Sequence, residues 1–213
     1  MISKEIYPKT KRISVLGEKV YLTEKIDGSN LVFFKKDEKL YFAQRKNIIC
    51  IDELEIAKDK LYKGLYQWLI DNKDVLIEEL HNNSAICGEW IGMGCLKYSV
   101  DEFDKRWYMF AKANIDDEFN LNNLIYDHKL FIYPFKSQTI PSFIGVVPEV
   151  QELNVLPDKN YLDSIYEKYC KKVNRNVEGF VINYNNNIVK YVRMKSGKLV
   201  EYSDTDHKGN GGE

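Results

Sequence analysis

The sequence has no Cys-x-x-Cys pair, no apolar run long enough to span a bilayer, and no excess of charge of either sign. Its four cysteines, Cys50, Cys87, Cys95 and Cys170, lie too far apart for a metal knuckle, so free thiols in a reducing compartment are expected. Residues Met1 to Lys11 contain no apolar h-region of a secretory leader, and a soluble cytoplasmic protein is expected. A net charge of −1 and a pI near 6.4 exclude a broadly basic nucleic-acid binder, so any such contact must rest on a local patch. There is no internal repeat. What is present is 213 residues with 44% apolar content, enough to bury a real core in one large domain or two small ones.

The most informative stretch is Glu24-Lys25-Ile26-Asp27-Gly28-Ser29-Asn30. Lys19 to Thr23 before it and Leu31 to Phe34 after it are β-prone, while Asp27 to Asn30 is turn chemistry. Lys25 therefore stands where a strand ends and a turn opens. A lysine held there beside a pocket can lose its proton under the influence of nearby cations and act as a nucleophile. With the strands Leu31 to Lys35 and Leu40 to Arg45, this region reads as an antiparallel meander.

Between Asp52 and Asn82 the period changes to three and four, predicting one or two amphipathic helices through Leu61, Leu65, Trp68, Leu69, Leu76 and Leu80. Ser84 to Ile91 reads as a strand interrupted by Gly88-Glu89, and a carboxylate in a buried strand is costly unless it has partners. Arg106 to Ile115 is an aromatic strand carrying Phe110, Leu121 to Tyr126 reads as a short helix, and Leu130 to Val150 as short β-like runs broken by prolines. Tyr161 to Lys172 places Leu162, Ile165, Tyr166 and Tyr169 on one helical face. Val177 to Tyr184 again sets Glu-Gly inside an apolar strand. After a turn at Asn185 to Asn187, the return strand Ile188 to Lys195 puts Arg193 and Lys195 on one face and Lys190 on the other. Asp204 to Glu213 is a polar, Gly-rich tail expected to be flexible.

In this order, EKIDGSN at Glu24 to Asn30, GEWIGMGCLKY at Gly88 to Tyr98 followed by FDKRWYMF to Phe110, VEGFVI at Val177 to Ile182, and RMKSGKLVE at Arg193 to Glu201 resemble the covalent nucleotidyltransferase superfamily of polynucleotide ligases and mRNA capping enzymes. The nearest likeness is to the RNA ligase 2 and RNA-editing ligase branch. The resemblance implies an α+β fold of antiparallel β-sheets flanked by helices with a central nucleotide cleft, a nucleotidyltransferase, ATP-grasp-like ligase core over residues 1–203.

It further implies an ATP-dependent RNA ligase requiring Mg²⁺ or Mn²⁺, with RNA 5′-phosphate and 3′-hydroxyl ends as partners. Lys25 would take the nucleotide as lysyl-AMP, with Glu24, Ile26 and Asn30 around it. Arg45 would hold ribose or phosphate, Glu89 the ribose hydroxyl, and Phe110 would stack on the purine. Glu178 would position the metal, and Arg193 with Lys195 would meet the α-phosphate. Lys97, Lys105, Arg106, Lys171, Lys172 and Arg175 are candidate nucleic-acid contacts. The chemistry suits these residue types. An ordinary lysine, with a pKa near ~10.4, is almost wholly ammonium at neutral pH, and cations beside it disfavour that form while neutralising the phosphate oxygens.

Asp27 stands where the RNA ligase 2 branch has histidine, Ala111 where an aspartate follows the aromatic, and Asn183 where a lysine is expected. Asp27 leaves open a DNA ligase or a GTP-dependent capping guanylyltransferase. A nucleotide-binding module without catalysis, serving a repair complex, is a further alternative. The sequence ends soon after Glu201, so no OB-fold or helical second domain is expected. An accessory protein would then take its place, and a small enzyme of this kind would suit a virus, acting in host cytoplasm.

Overall fold

The computed structural model of the protein describes residues 2–3, 11–12, 19–44, 46–184, 186–195 and 198–200. Arg45 and the tail from Glu201 lie outside them, so the expectations placed there are not addressed. The described strands are β1 (Ile2–Ser3), β2 (Lys11–Arg12), β3 (Val20–Lys25), β4 (Ser29–Lys36), β5 (Lys39–Gln44), β6 (Asn47–Cys50), β7 (Ser84–Trp90), β8 (Trp107–Ile115), β9 (Leu121–Ile125), β10 (Gly145–Val146), β11 (Glu149–Leu153), β12 (Gly179–Tyr184), β13 (Asn187–Val192), β14 (Met194–Lys195) and β15 (Lys198–Leu199). The helices are α1 (Leu54–Ala57), α2 (Leu65–Glu79) and α3 (Lys159–Val173), with short 3₁₀ turns between.

These strands build two main sheets. One runs β1-β6-β5-β4-β7-β8-β10 with β9 added on β8, and the other runs β11-β3-β12-β13-β2. Each sheet buries one face against a helix, as amphipathic elements must. On the first, Leu31, Phe33, Phe42, Ile86, Trp90 and Trp107 pack with Trp68, Leu69 and Leu76 of α2. On the second, Val20, Leu22, Phe180, Ile182 and Tyr191 pack with Leu162, Ile165, Tyr166 and Tyr169 of α3. The expected α+β architecture of antiparallel β-sheets flanked by helices is what the chain adopts, with short parallel pairings only of β10 with β8 and β2 with β13 among the described strands.

Two expectations are corrected. The meander does not continue through Lys25: β3 pairs with β11 and β12, whereas β4 pairs with β5 and β7. The turn carries the chain from one sheet to the other, and turn residues serve a crossing as well as a hairpin. Leu121 to Ile125 is a strand, not a helix, because it pairs with β8 and packs Leu121 and Leu124 on that sheet's second face. Among the described residues no helix is long and apolar enough to cross a membrane.

Candidate functional site

The crossing turn sits at one end of a cavity of about 660 Å³ bordered by residues of both sheets. Along β3 burial alternates: Val20 and Leu22 pack toward α3, while Tyr21, Thr23 and Lys25 border the cavity. From β12 and β13 come Val181, Asn183 and Ile188; from the larger sheet come Asn30, Glu89, Phe110 and Val146. Tyr62, Tyr126, Asp127, His128, Phe131, Val147 and Glu149 complete much of the wall. The turn passes hard against β7, since a Cβ on Gly28 would stand 2.4 Å from the Trp90 carbonyl oxygen.

Lys25 Nζ donates to Glu178 Oε2 at 2.7 Å, with both side chains largely covered. Glu178 follows the end of α3, and its carbonyl accepts from the amides of Arg193 and Met194 at 2.8 and 3.0 Å. Burial raises the Glu178 carboxyl above the ordinary range, Lys25 pulls it back, Asp27 adds to the rise, and Lys190 opposes it. Glu89 lies directly opposite Asn30 in the β4–β7 ladder. Burial pushes its carboxyl up to about 8, with Lys25 opposing and the charges of Glu178 and Asp27 adding to the rise. Two cations, Lys25 and Lys190, and three carboxylates therefore meet at this end.

Asp27 is committed elsewhere. Its Oδ2 accepts from the amides of Cys95 and Leu96 at 2.6 and 2.7 Å, and its own amide donates to Tyr98 Oη at 2.6 Å. The loop passes so closely that a Cβ on Gly94 would come within 2.2 Å of the Asp27 carbonyl oxygen. The aspartate thus fastens the segment after β7 to the turn that carries Lys25.

The candidates divide by placement. Lys25, Ile26, Asn30, Glu89 and Phe110 border one cavity, and Glu178 reaches it through Lys25. Glu24 also borders it, but its carboxylate accepts from Arg175 at 2.8 and 2.7 Å and from Tyr169 Oη at 2.9 Å, on the α3 side. Arg193 does not enter the cavity: it pairs with Asp163 of α3 and lies over the Tyr166 ring, because it shares a strand face with Tyr191. Lys190, on the opposite face, adds to the larger effect of Lys25 in lowering the Glu178 carboxyl. Lys195 is exposed on β14.

Of the proposed nucleic-acid contacts, Lys97, Lys171 and Lys172 are exposed, Lys105 pairs with Asp104, and Arg106 lies over the Trp90 ring. The Arg175 guanidinium is held by Glu24 and Glu102 and lies near the Tyr98 and Phe103 rings. Sequence reasoning missed Tyr62, Tyr126, Asp127, His128 and Asn183 as cavity residues. Asn183 was legible only as a departure from a motif, and the others sit in irregular segments whose position depends on distant pairing.

Solved structures of RNA ligases share this fold. An RNA ligase of Naegleria gruberi, solved with ATP and Mn, superposes with a TM-score of 0.52 at 17% identity, covering 90% of this chain and 56% of that one. An archaeal ATP-dependent RNA ligase gives 0.50 at 16% identity, covering 88% and 48%. The chain thus spans about half the length of these proteins. No curated protein matches it. The chain belongs to the RNA ligase family, whose model matches residues 18–196.

Proposed function

We propose that the chain is the nucleotide-transferring core of an ATP-dependent RNA ligase. The observation that carries this reading is Lys25 at the end of a two-sheet cavity, 2.7 Å from Glu178, with Glu89 and Phe110 in the same wall. The Lys25 amine attacks the α-phosphorus of ATP; an N–P bond forms, the bond to pyrophosphate breaks, and lysyl-AMP remains. The Glu178 oxygen beside Nζ is already in place to accept the ammonium proton. AMP then passes to an RNA 5′-phosphate, and a 3′-hydroxyl displaces AMP to seal the strand. Phe110 and Val181 border the space between the sheets in which the purine lies, and Lys190 adds positive charge at the Glu178 end.

A divalent cation fits the donor chemistry here. Burial raises the proton affinity of both Glu89 and Glu178, Glu178 adds to the rise at Glu89, and Asp27 adds to both, a conflict that a cation relieves. Mg²⁺ is commonly held by one or two carboxylates together with substrate phosphates, and Glu89 and Glu178 would supply them here. When bound, it neutralises charge on the triphosphate.

Incubation with α-labelled ATP and Mg²⁺ or Mn²⁺, followed by denaturation, is expected to leave label on the wild type and none on Lys25→Ala. A folded wild type that takes no label from ATP or GTP with either metal overturns the reading. Label from GTP alone would replace it with a guanylyltransferase.

A further inference from the structure

Two buried side-chain polar atoms have no hydrogen-bond partner among the described residues, Asn183 Oδ1 and Arg193 Nε, and of these residues only Asn183 borders the cavity. A buried acceptor left unpaired is costly, so one retained in a ligand cavity points to a donor brought by the ligand. Its neighbours on β12 fix the direction in which it faces. Phe180 and Ile182 are wholly buried in the core against α3, so Val181 and Asn183 share the opposite face, toward the cavity.

We propose that Asn183 reads the base of the bound nucleotide, its Oδ1 accepting a hydrogen bond from the exocyclic amine of adenine. The inference rests on the nucleotide-transfer reading above and adds to it the residue that recognises the base. Strand register supplies the distance. In the β3–β12 ladder Lys25 pairs with Gly179, Thr23 with Val181 and Tyr21 with Asn183. The row holding Asn183 is therefore four residues, about 13 Å, along the strand from the nucleophile. A nucleotide with its α-phosphorus at Lys25 and its purine between Phe110 and Val181 points the far edge of the base toward Asn183.

The chemistry then discriminates. Adenine presents an N–H donor at C6, whereas guanine presents an oxygen, which meets Oδ1 as acceptor against acceptor. Because an amide can rotate and offer Nδ2 to that oxygen, GTP is a blunt probe. Purine riboside 5′-triphosphate is sharper, since it carries hydrogen at C6 and keeps the shape of the ring.

The test is the efficiency of self-labelling with ATP against purine riboside triphosphate in wild type, Asn183→Leu and Asn183→Asp. Wild type is expected to favour ATP by about tenfold, the worth of one buried hydrogen bond. Asn183→Leu, close in size and without an amide, should bring the ratio near one, and Asn183→Asp, which keeps the acceptor, should preserve the preference. A leucine variant that keeps the wild-type ratio, or a wild type with no preference, overturns the assignment while the nucleotide-transfer reading stands. A wild type labelled by neither nucleotide overturns both.

Discussion

Glu89 holds a carboxyl group where water is scarce and other carboxylates are close, and its proton affinity follows from that. Burial pushes its pKa up to about 8, with Lys25 acting against the rise. The unfolded chain releases that proton in the ordinary carboxylate range near ~4.3, so between there and about 8 the folded form binds the extra proton and stability falls as pH rises. Glu89→Gln removes this loss. The variant is expected to match wild type in urea unfolding at pH 4 and to exceed it at pH 9 by on the order of 1–2 kcal/mol, less than the full shift because Glu89 borders a cavity rather than closed core. A variant less stable than wild type at pH 9 would mean that Lys25 holds Glu89 ionised in the folded state. Labelling by ATP should nonetheless fall in Glu89→Gln, because a neutral amide replaces the acid proposed to hold the ribose hydroxyl.

At the scale of elements, the strands with clear alternation or an apolar run bounded by turns were legible in the sequence, and Leu121 to Ile125 was not. Its Leu121, Leu124 and Ile125 recur at helical intervals around two asparagines, and its strand conformation comes from pairing with β8, which local pattern does not reveal. The turn after Lys25 was legible as a turn, but its attachment was hidden, because Asp27 meets its amide partners 68 and 69 residues away. That attachment is testable. Asp27→Ala leaves the Cys95 and Leu96 amides without their acceptor, a loss of about 1–2 kcal/mol in local protection. Hydrogen exchange in a peptide covering 94–98 is expected to speed by about tenfold, with Asp27→Asn between the two, while exchange in β5 and α2 stays unchanged. Unaltered exchange at 94–98 would show that the aspartate does not hold the loop.

For the whole molecule, the resemblance implied antiparallel sheets around a cleft but not which strands share a sheet, since β3 finds β12 more than 150 residues away in the chain. The same separation hid the partner of Arg175: its acceptor Glu24 is 151 residues distant, and nothing local marks the pair. The structure makes Arg175 a tie between the halves. It joins Glu24 on β3 to Glu102 in the segment after β7, and Asn186 makes a second tie by donating to the Leu124 carbonyl and accepting from the Tyr126 amide at 3.3 Å. The two differ in cost because Glu24 is fully buried and charged, whereas the groups that Asn186 holds are exposed to water. Arg175→Ala leaves that carboxylate with Tyr169 alone and should cost about 3–5 kcal/mol in denaturant unfolding, and adding Glu24→Gln should recover much of it. Asn186→Gly, which keeps the left-handed backbone at φ 58°, should cost only about 1–2 kcal/mol. An Arg175→Ala protein that unfolds at the wild-type midpoint but binds RNA more weakly would return the arginine to the nucleic-acid surface. Loss of stability rescued by Glu24→Gln fixes it as the strut that keeps the Lys25 end of the cleft assembled.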